Sequence, residues 1–319
     1  MTTSDPYVAA SYGQPVADRG DRYHRAHETV QVVEALWGSW EKDARVKHQE
    51  SGQFIDVDHL RPIDLQDQYV ASRGPLAIPP SEQGQPVVFS VGGPSPDMLA
   101  LAGRCSSAFI TEVWTIPEAQ AQRAAVRDAA QQAGRDPDEI KFVVGLMTTV
   151  APTVREGLDR RLSLAGDVTP QRVLQLGQMF GLRLEPGRLD EPLSAQELAA
   201  ARPSDDPRAE SALEVARQGW SVRDVLAHGV IDYHPVTVGP GKVHADHLQE
   251  WFEADAADGF WISPDVYHDG VDAFVDEVVP ILRERGIYPD GYSGATLRDH
   301  LGIPDQYGAD PRIAGATAT

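Results

Sequence analysis

The sequence predicts an α/β fold in which strands and helices alternate along the chain. Short apolar runs rich in β-branched residues stand near residues 87, 108, 142 and 260, and stretches with helical spacing follow them. This alternation is typical either of a doubly wound parallel sheet or of a (β/α)8 barrel. Four strand–helix units would make half of such a barrel.

The first elements are a loop and a helix. Residues 1–21 are polar and rich in Gly, Pro and Asp, which is typical of a loop. From Arg22 the apolar positions are spaced by three and four, so we expect a helix that ends near residues 41–44. The prolines between residues 50 and 86 then predict a long loop with short extended pieces, and loops of that length usually have a function.

The strand–helix units follow in order. We expect a strand at 86–93 and a helix at 97–105, a strand at 107–111 and a helix at 116–134, and a strand at 140–151. Residues 153–228 are mostly helical, without a convincing strand. A helix at 242–257, a strand at 259–263 and a helix at 270–286 complete the pattern.

Charge and cysteine content exclude several classes of protein. With 28 basic and 48 acidic residues the chain has a net charge of −20, which repels nucleic acids and anionic membranes. No window resembles a signal peptide or a membrane span. Cys105 is the single cysteine, so the chain can form no internal disulfide. We therefore expect a cytoplasmic protein without a nucleic-acid or membrane partner.

The clearest candidate site is the turn SVGGPSPDM at residues 90–98. Gly92 and Gly93 permit a close backbone approach, and Ser95 offers a hydroxyl where a helix begins. Such a turn can hold a phosphate group, because the amides at a helix N-terminus point outward. An ordinary strand-to-helix turn with an N-cap has the same composition, and the local pattern alone favours that reading.

Other chemical groups have plainer interpretations. His24 and His27, like His244 and His247, are three residues apart, but no HExxH motif accompanies them, and we expect surface histidines without a metal. We expect Cys105 to be a buried small side chain. Asp255 and Asp258 are expected to cap and solvate a helix end. For the following aromatic residues we expect core packing: Trp37, Trp40, Trp251, Phe252 and Trp261. Tyr23, at the start of a helix, could reach a ligand.

Five ordered motifs carry a family resemblance. They are RYHRAHETVQVVEALWGSWEKDA at 22–44, YVASRGPLAIPPSEQGQPVVFSVGG at 69–93, QQAGRDPDEIKFVVGL at 131–146, QEWFEADAADGF at 249–260 and GATLRDHLGIP at 294–304. Together they resemble the nitrilotriacetate monooxygenase component A group, which includes the dibenzothiophene-sulfone monooxygenases. That group lies within the bacterial-luciferase-like flavin monooxygenases, and the resemblance spans about residues 2–304.

The resemblance implies a (β/α)8 barrel of the luciferase-like type, of which this chain would supply only the C-terminal half with a helical insertion. It also implies reduced FMN as cofactor, an NAD(P)H:flavin oxidoreductase that supplies it, O2, a small organic substrate and a homodimer. The expected domains are a barrel portion at 1–152, the insertion at 153–241, a last barrel unit at 242–304 and a flexible tail at 305–319.

The resemblance implies a set of cofactor-binding residues. The turn residues Gly93, Pro94 and Ser95 would hold the FMN phosphate, together with Tyr23 at the start of the RYxRAxE helix. Two departures concern this set: Arg19 stands where the family commonly has a histidine, and Pro94–Ser95 stands where it often has two serines. An arginine can still pair with a phosphate. Ser4, in a segment that resembles the one after the fourth barrel strand, completes the set.

The family's first four strands would precede Met1, and a half barrel would leave two sheet edges open. We expect that the chain begins further upstream; a decayed fragment or halves that associate in an oligomer are the alternatives. Two other functions stay open beside the monooxygenase: a catalytically inactive flavin-binding or interaction protein, and an F420-dependent oxidoreductase.

Overall fold

The computed structural model describes residues 4–13 and 15–308. The helices are α1 (Pro6–Ser11), α2 (Arg19–Trp37), α3 (Pro96–Cys105), α4 (Ile116–Gln132), α5 (Val154–Ala165), α6 (Pro170–Phe180), α7 (Ala195–Ala200), α8 (Ala209–Arg217), α9 (Val222–Ala227), α10 (Gly241–Glu253), α11 (Tyr267–Ala273), α12 (Val279–Glu284) and α13 (Leu297–Leu301). The strands are β1 (Leu65–Gln66), β2 (Ala71–Ser72), β3 (Phe89–Val91), β4 (Ala108–Thr111), β5 (Lys141–Val150), β6 (Val236–Gly239) and β7 (Gly259–Pro264). A wider π-helical turn, Phe274–Val278, joins α11 to α12.

The chain folds as two compact units. The first contains the described residues up to Phe109, the segment Ala124–Lys141 and the described residues from Tyr292 onward. The second contains Ile110–Arg123 and Phe142–Gly291. The expected domain bounds at 152, 241 and 304 follow another division and remain predictions.

In the first unit β3 lies beside β4, and helices α2 and α3 pack together. Strand β3 is shorter than the predicted 86–93, because Pro86 has no amide hydrogen and Gly92 has φ +153°. Gly103 on α3 permits close packing against the first unit's part of α4. A Cβ there would lie 2.5 Å from the backbone of Ala129, so a larger residue would force the two segments apart.

The long loop between α2 and β3 is fixed to α2 by buried polar contacts. The backbone amides of Gln68, Tyr69 and Val70 donate to the carboxylate of Glu28 at 2.6 to 3.3 Å. Trp40 donates through Nε1 to the carbonyl of Leu76 at 2.7 Å. As predicted, the loop carries only short extended pieces, since β1 and β2 pair antiparallel over two residues each.

In the second unit β5 pairs in parallel with both β6 and β7. Met147 stands opposite Val236, and Val143 stands opposite Gly259. Strand β6 was not predicted: it is four residues long, and its sequence VTVG offers too short a pattern to distinguish it from the loop around it. The described residues therefore contain one more strand–helix unit than the four expected, and a half barrel is not confirmed.

The helices from α6 to α9 form a separate cluster of apolar side chains within the second unit. Leu176, Phe180, Leu213 and Val225 are at most 1% exposed in this cluster. Helix α5 packs instead against β6. The mostly helical character predicted for 153–228 is confirmed.

Several element ends differ from the expectation for local reasons. Helix α10 ends at Glu253 rather than 257, because Asp255 adopts a left-handed conformation with φ +54°. The last long helix is interrupted at 274–278, just before Pro280, which lacks the amide that a continuous helix needs. Residues 309–319 of the expected flexible tail lie outside the described residues. In the described part of the chain, no helix combines the length and apolar character needed to cross a membrane.

Candidate functional site

The turn from β3 into α3 is tight and leads directly into the first turn of the helix. The amide of Ser95 donates to the carbonyl of Gly93 at 2.9 Å, and the Ser95 hydroxyl accepts from the amide of Met98 at 3.4 Å. Ser95 is thus the N-cap of α3. A Cβ at Gly93 would have no described atom within 4 Å. The space beside this residue is open.

Arg19 contacts the first turn of α3, and Tyr23 lies beside Arg19. Arg19, the first residue of α2, donates through Nε to Oδ2 of Asp97 at 2.6 Å. Its guanidinium carbon lies 5.7 Å from the centre of the Tyr23 ring, a cation–π contact. The structure therefore brings the start of α2, which carries Arg19 and Tyr23, to Asp97 in the first turn of α3, 78 residues further along the chain from Arg19.

Asp97 is the member of this cluster that sequence reasoning missed. Its carboxylate raises the pKa of Arg19, first through the hydrogen bond and then through its charge. The two side chains are 55% and 43% exposed, so solvent and ligands reach both. Asp97 occupies one edge of the guanidinium and places a negative charge in the first turn of α3.

The donors at the turn fit a phosphate group. Nη1 and Nη2 of Arg19 and the hydroxyl of Tyr23 have no hydrogen-bond partner among the described residues. With the hydroxyl of Ser95 and the open face of Gly93 they form the kind of donor set that phosphate takes. Pro96 has no amide hydrogen, so the first turn of α3 offers one donor fewer. The negative charge of Asp97 repels an anionic ligand. The donor set fits a phosphate, and Asp97 brings a negative charge beside it.

Pro94 and Ser4 complete the predicted set. Pro94 is exposed within the turn. Ser4 is exposed just before Asp5, the N-cap of α1, and it makes no hydrogen bond to another described residue. Their roles in cofactor binding remain predictions.

Three residues of the resemblance motifs have structural tasks instead. Glu28 holds the 68–70 loop, as described above. Arg298 is 9% exposed and donates to the carbonyls of Gln85 and Pro304 at 2.9 and 2.8 Å. Asp258 pairs with Arg123 in the second unit. Glu28, Arg298 and Asp258 thus stabilise the fold. Hydrogen-bond donors that remain free lie instead near the strand-to-helix turn.

The histidines and the cysteine have mostly local structural surroundings. The described residues contain no group of three or more potential metal ligands. The expectation of surface histidines is wrong for His244, which is fully buried and bonds to Thr237 and to the carbonyl of Gly239 at 2.7 and 3.0 Å. Burial raises the pKa of Cys105 to about 12, which agrees with an inert thiol.

Two of the aromatic residues expected in the core are exposed. Trp40 and Trp251 are each 4% exposed, as predicted, and Trp37 is half-buried. Phe252 and Trp261 are 47% and 49% exposed. Strand β7, which carries Trp261, pairs only with β5 among the described strands, so one of its edges is unpaired. The rings of Phe252 and Trp261 therefore lie on the surface of the described part of the chain.

Buried histidines predict a pH-dependent stability. Burial lowers the pKa of His228 and of His247 from 6.5 to about 4. Both stay neutral in the folded chain and take up protons on unfolding, so their contribution is complete above pH 6.5 and is lost as the pH falls toward 4. We expect the urea midpoint to fall over this window. The urea midpoint of His247→Gln should fall less over this window than that of the unmodified chain. The control His48→Gln, at an exposed histidine, should fall as much as the unmodified chain. If His247→Gln also falls as much, His247 does not contribute to the pH dependence.

A second cluster lies in the second unit, where the chain leaves β4. Tyr233 hydrogen-bonds to Glu112, which raises the pKa of the phenol. The ring of His234 lies edge-on to that of Tyr233, with centres 4.9 Å apart. Its Nδ1 is buried without a partner among the described residues. Burial lowers the pKa of His234, so the imidazole is neutral near pH 7.

Gly145 on β5 makes room for this imidazole. A Cβ at Gly145 would lie 2.4 Å from Nδ1 of His234. A glycine within a strand often marks a close approach of this kind. Gly145 was therefore the sequence signal that could have indicated the cluster around His234. The cluster offers a neutral proton acceptor beside a carboxylate and a phenol.

Comparison with known proteins identifies the family of the chain. A sequence profile described as luciferase-like monooxygenase matches residues 2–258. The chain is 34% identical to N-acetyl-S-(2-succino)cysteine monooxygenase of Bacillus subtilis (strain 168), over 95% of this chain and 69% of that protein. It is 33% identical to dibenzothiophene-sulfone monooxygenase of Rhodococcus erythropolis, over 88% of this chain and 63% of that protein. The chain thus spans about two thirds of the length of these relatives.

Solved structures agree with the sequence comparison. EDTA monooxygenase from Chelativorans sp. BNC1 superposes with a TM-score of 0.74 at 28% identity, over 96% of this chain and 71% of that one. Riboflavin lyase, solved with modified FMN and riboflavin, gives a TM-score of 0.69 at 29% identity, over 96% and 68% of the two chains. The α/β fold with its parallel strands and the predicted group of relatives are confirmed. The chain belongs to the luciferase-like monooxygenase family.

Proposed function

We propose that this chain is the oxygenating component of a two-component monooxygenase that uses reduced FMN and O2. An NAD(P)H:flavin oxidoreductase supplies the reduced FMN, and a small organic compound is the substrate. The observation that carries the proposal is the contact of Arg19, which also lies over the ring of Tyr23, with Asp97 in the first turn of α3, the helix that Ser95 caps.

The named relatives support the reaction class. Both curated relatives are monooxygenases, and so is the EDTA enzyme of similar structure. The riboflavin lyase structure holds a modified FMN, which supports FMN as the flavin for this fold. When bound, reduced FMN supplies the two electrons with which one atom of O2 enters the substrate and the other leaves as water.

The residues of the chain would hold and orient the cofactor. The guanidinium of Arg19 would donate to phosphate oxygens through Nη1 and Nη2, and the hydroxyls of Tyr23 and Ser95 would add two neutral donors. Gly93 would permit the phosphate to approach the backbone. Pro94 and Ser4 would lie at the edge of the same site.

His234 is the group that we assign to proton transfer. It is neutral near pH 7, and Glu112 and Tyr233 accompany it. A neutral imidazole can accept a proton from a substrate, and the imidazolium that forms can return it. Gly145 fixes its place, so a larger residue there would move the ring.

The fold that we propose for the complete assembly is the (β/α)8 barrel of the luciferase-like type, working as a homodimer in the cytoplasm. The similarity to the EDTA monooxygenase chain supports the barrel. The charge of −20 and the single cysteine agree with a reducing, aqueous compartment.

The proposed function is tested by rapid mixing of reduced FMN with oxygenated buffer, with and without the chain. We expect bound reduced FMN to be re-oxidised at a rate that differs from that of free reduced FMN. Tyr23→Phe should shift the rate toward that of the free flavin, whereas Tyr12→Phe, at a tyrosine that is 68% exposed, should not.

The other outcomes separate the competing functions. Binding of FMN without any change in its re-oxidation would indicate an inactive flavin-binding protein. Binding of F420 in place of FMN would indicate an F420-dependent oxidoreductase. Failure to bind either would sink the proposal.

A further inference from the structure

The helical part of the second unit contains a cavity of about 210 Å³. It lies between the end of α5, the segment that leads into α6 and the segment that joins α9 to β6. This volume is many times what one water molecule requires. The residues that matter for its chemistry are three apolar and three charged side chains: Leu162, Val168, Leu226, Arg161, Arg172 and Asp232.

The two arginines share one carboxylate. Nη2 of Arg161 donates to Oδ2 of Asp232 at 2.6 Å, and Nη2 of Arg172 donates to Oδ1 at 2.6 Å. Nε of Arg161 donates to the carbonyl of Ala227 at 2.6 Å. The Nη1 atoms of both arginines, and Nε of Arg172, have no partner among the described residues.

Arg161, Arg172 and Asp232 together carry one positive charge in excess. Arg161 and Asp232 are 13% and 16% exposed, and Arg172 is 41% exposed. A charge that is partly removed from water is costly unless it is paired. Asp167 also lines the cavity, but it belongs to the exposed segment 163–167, where solvent screens its charge.

We propose that this cavity binds a small organic monocarboxylate. The ligand's carboxylate would take the free guanidinium edges of Arg161 and Arg172, whose planar geometry matches two carboxylate oxygens. Its short apolar chain would lie against Leu162, Val168 and Leu226. One carboxylate neutralises the excess charge, and the apolar wall favours an organic acid over an inorganic anion.

The cavity lies away from the place where parallel α/β sheets usually bind their ligands. Asp232 precedes β6 by four residues, so the cavity lies toward the amino-terminal end of that strand. Ligands of parallel α/β sheets are held at the carboxyl ends of the strands. A ligand here would instead join α5, α6 and the segment before β6. The proposal is independent of the flavin, and we expect binding to stabilise the folded chain.

The test is a titration of the full chain with sodium hexanoate, without flavin, followed by calorimetry and by thermal unfolding. Sodium chloride at equal ionic strength is the reference. We expect saturable binding with a dissociation constant on the order of 1 mM, and a rise in the unfolding temperature with hexanoate. Arg172→Gln should weaken binding about tenfold or more. Arg188→Gln, in an exposed ion pair of the same helical part, should leave binding unchanged.

Asp232→Asn distinguishes a ligand site from a purely structural ion pair. The substitution should lower the unfolding temperature of the unliganded chain, because it removes the shared carboxylate. It should nevertheless tighten hexanoate binding several-fold, since both arginines lose their competitor. Weaker binding in Asp232→Asn would overturn the proposal.

Three further results would also overturn it, and they do not depend on the folding of Asp232→Asn. One is the lack of saturable hexanoate binding by the unmodified chain. Another is equal binding by Arg172→Gln and Arg188→Gln. The third is inorganic phosphate binding as tightly as hexanoate, because the site would then recognise an anion and not an organic acid.

Discussion

Replacing Asp258 by alanine is expected to lower the free energy of unfolding by about 3 kcal/mol, the cost of breaking an ion pair that is largely removed from water. Arg123 donates to Asp258 Oδ1 through Nη2 at 2.7 Å and through Nε at 3.2 Å. The amide of Phe142, in β5, donates to Oδ2 at 2.8 Å. The two side chains of the pair are 21% and 20% exposed. The substitution thus removes both a charge partner and a backbone acceptor.

Urea unfolding at pH 7.5 measures this loss. The matched control is Asp190→Ala, which removes a carboxylate that pairs with Arg223 but is 78% exposed. Exposed pairs contribute little, so the control should lose far less stability. Equal losses in the two variants would show that Asp258 is not the anchor that the geometry indicates.

Arg19→Gln and Asp97→Asn are expected to change FMN affinity in opposite directions. Arg19→Gln removes the cationic donor that lies beside the first turn of α3, so we expect binding to weaken about tenfold or more. Asp97→Asn removes a negative charge that holds Arg19 Nε and repels a phosphate. We expect it to tighten binding by about fivefold.

Fluorescence titration with FMN at low salt and at 1 M salt measures both effects. Salt should shrink them, because the two side chains are exposed. Arg25→Gln, on the exposed side of α2, is the control and should bind like the unmodified chain. A weaker affinity of Asp97→Asn for FMN would show that Asp97 does not compete with the phosphate for Arg19. Asp97 would then be one of the residues that organise the site.

Long periodic elements were predictable from the sequence, and short or bent ones were not. Strand β5 and helix α4 have ten and seventeen residues, enough for a clear pattern, and both lie where they were expected. Strand β6 has four residues and was missed. The early end of α10 depends on the left-handed conformation of Asp255, which local pattern does not reveal.

The candidate site was predictable only in the part that the resemblance covers. Local pattern indicated a strand-to-helix turn that could hold a phosphate or be an ordinary N-cap, and a tyrosine, Tyr23, that could reach a ligand; the resemblance joined the two in one phosphate site. Asp97 was missed because an acidic residue in the first turn of a helix is ordinary by itself. Its meaning appears only when folding brings Arg19 to within hydrogen-bond distance.

His234 and the arginine pair of the helical part were not predictable for the same reason. Their importance lies in what surrounds them: Gly145 on another strand, and Asp232 far along the chain from Arg161 and Arg172. No local spacing connects these residues. A sequence pattern records periodicity and neighbours along the chain, whereas charge pairing and close approach depend on the tertiary structure.

Phosphate recognition at the start of α3 is measured by the ratio of the dissociation constants of riboflavin and FMN. The two flavins differ by the phosphate that the turn at Gly93–Ser95 is proposed to hold. We expect FMN to bind at least about tenfold more tightly than riboflavin, since charge-assisted hydrogen bonds to the phosphate are the strong ones. Equal affinities would contradict this expectation, because the turn would then contribute nothing to flavin binding.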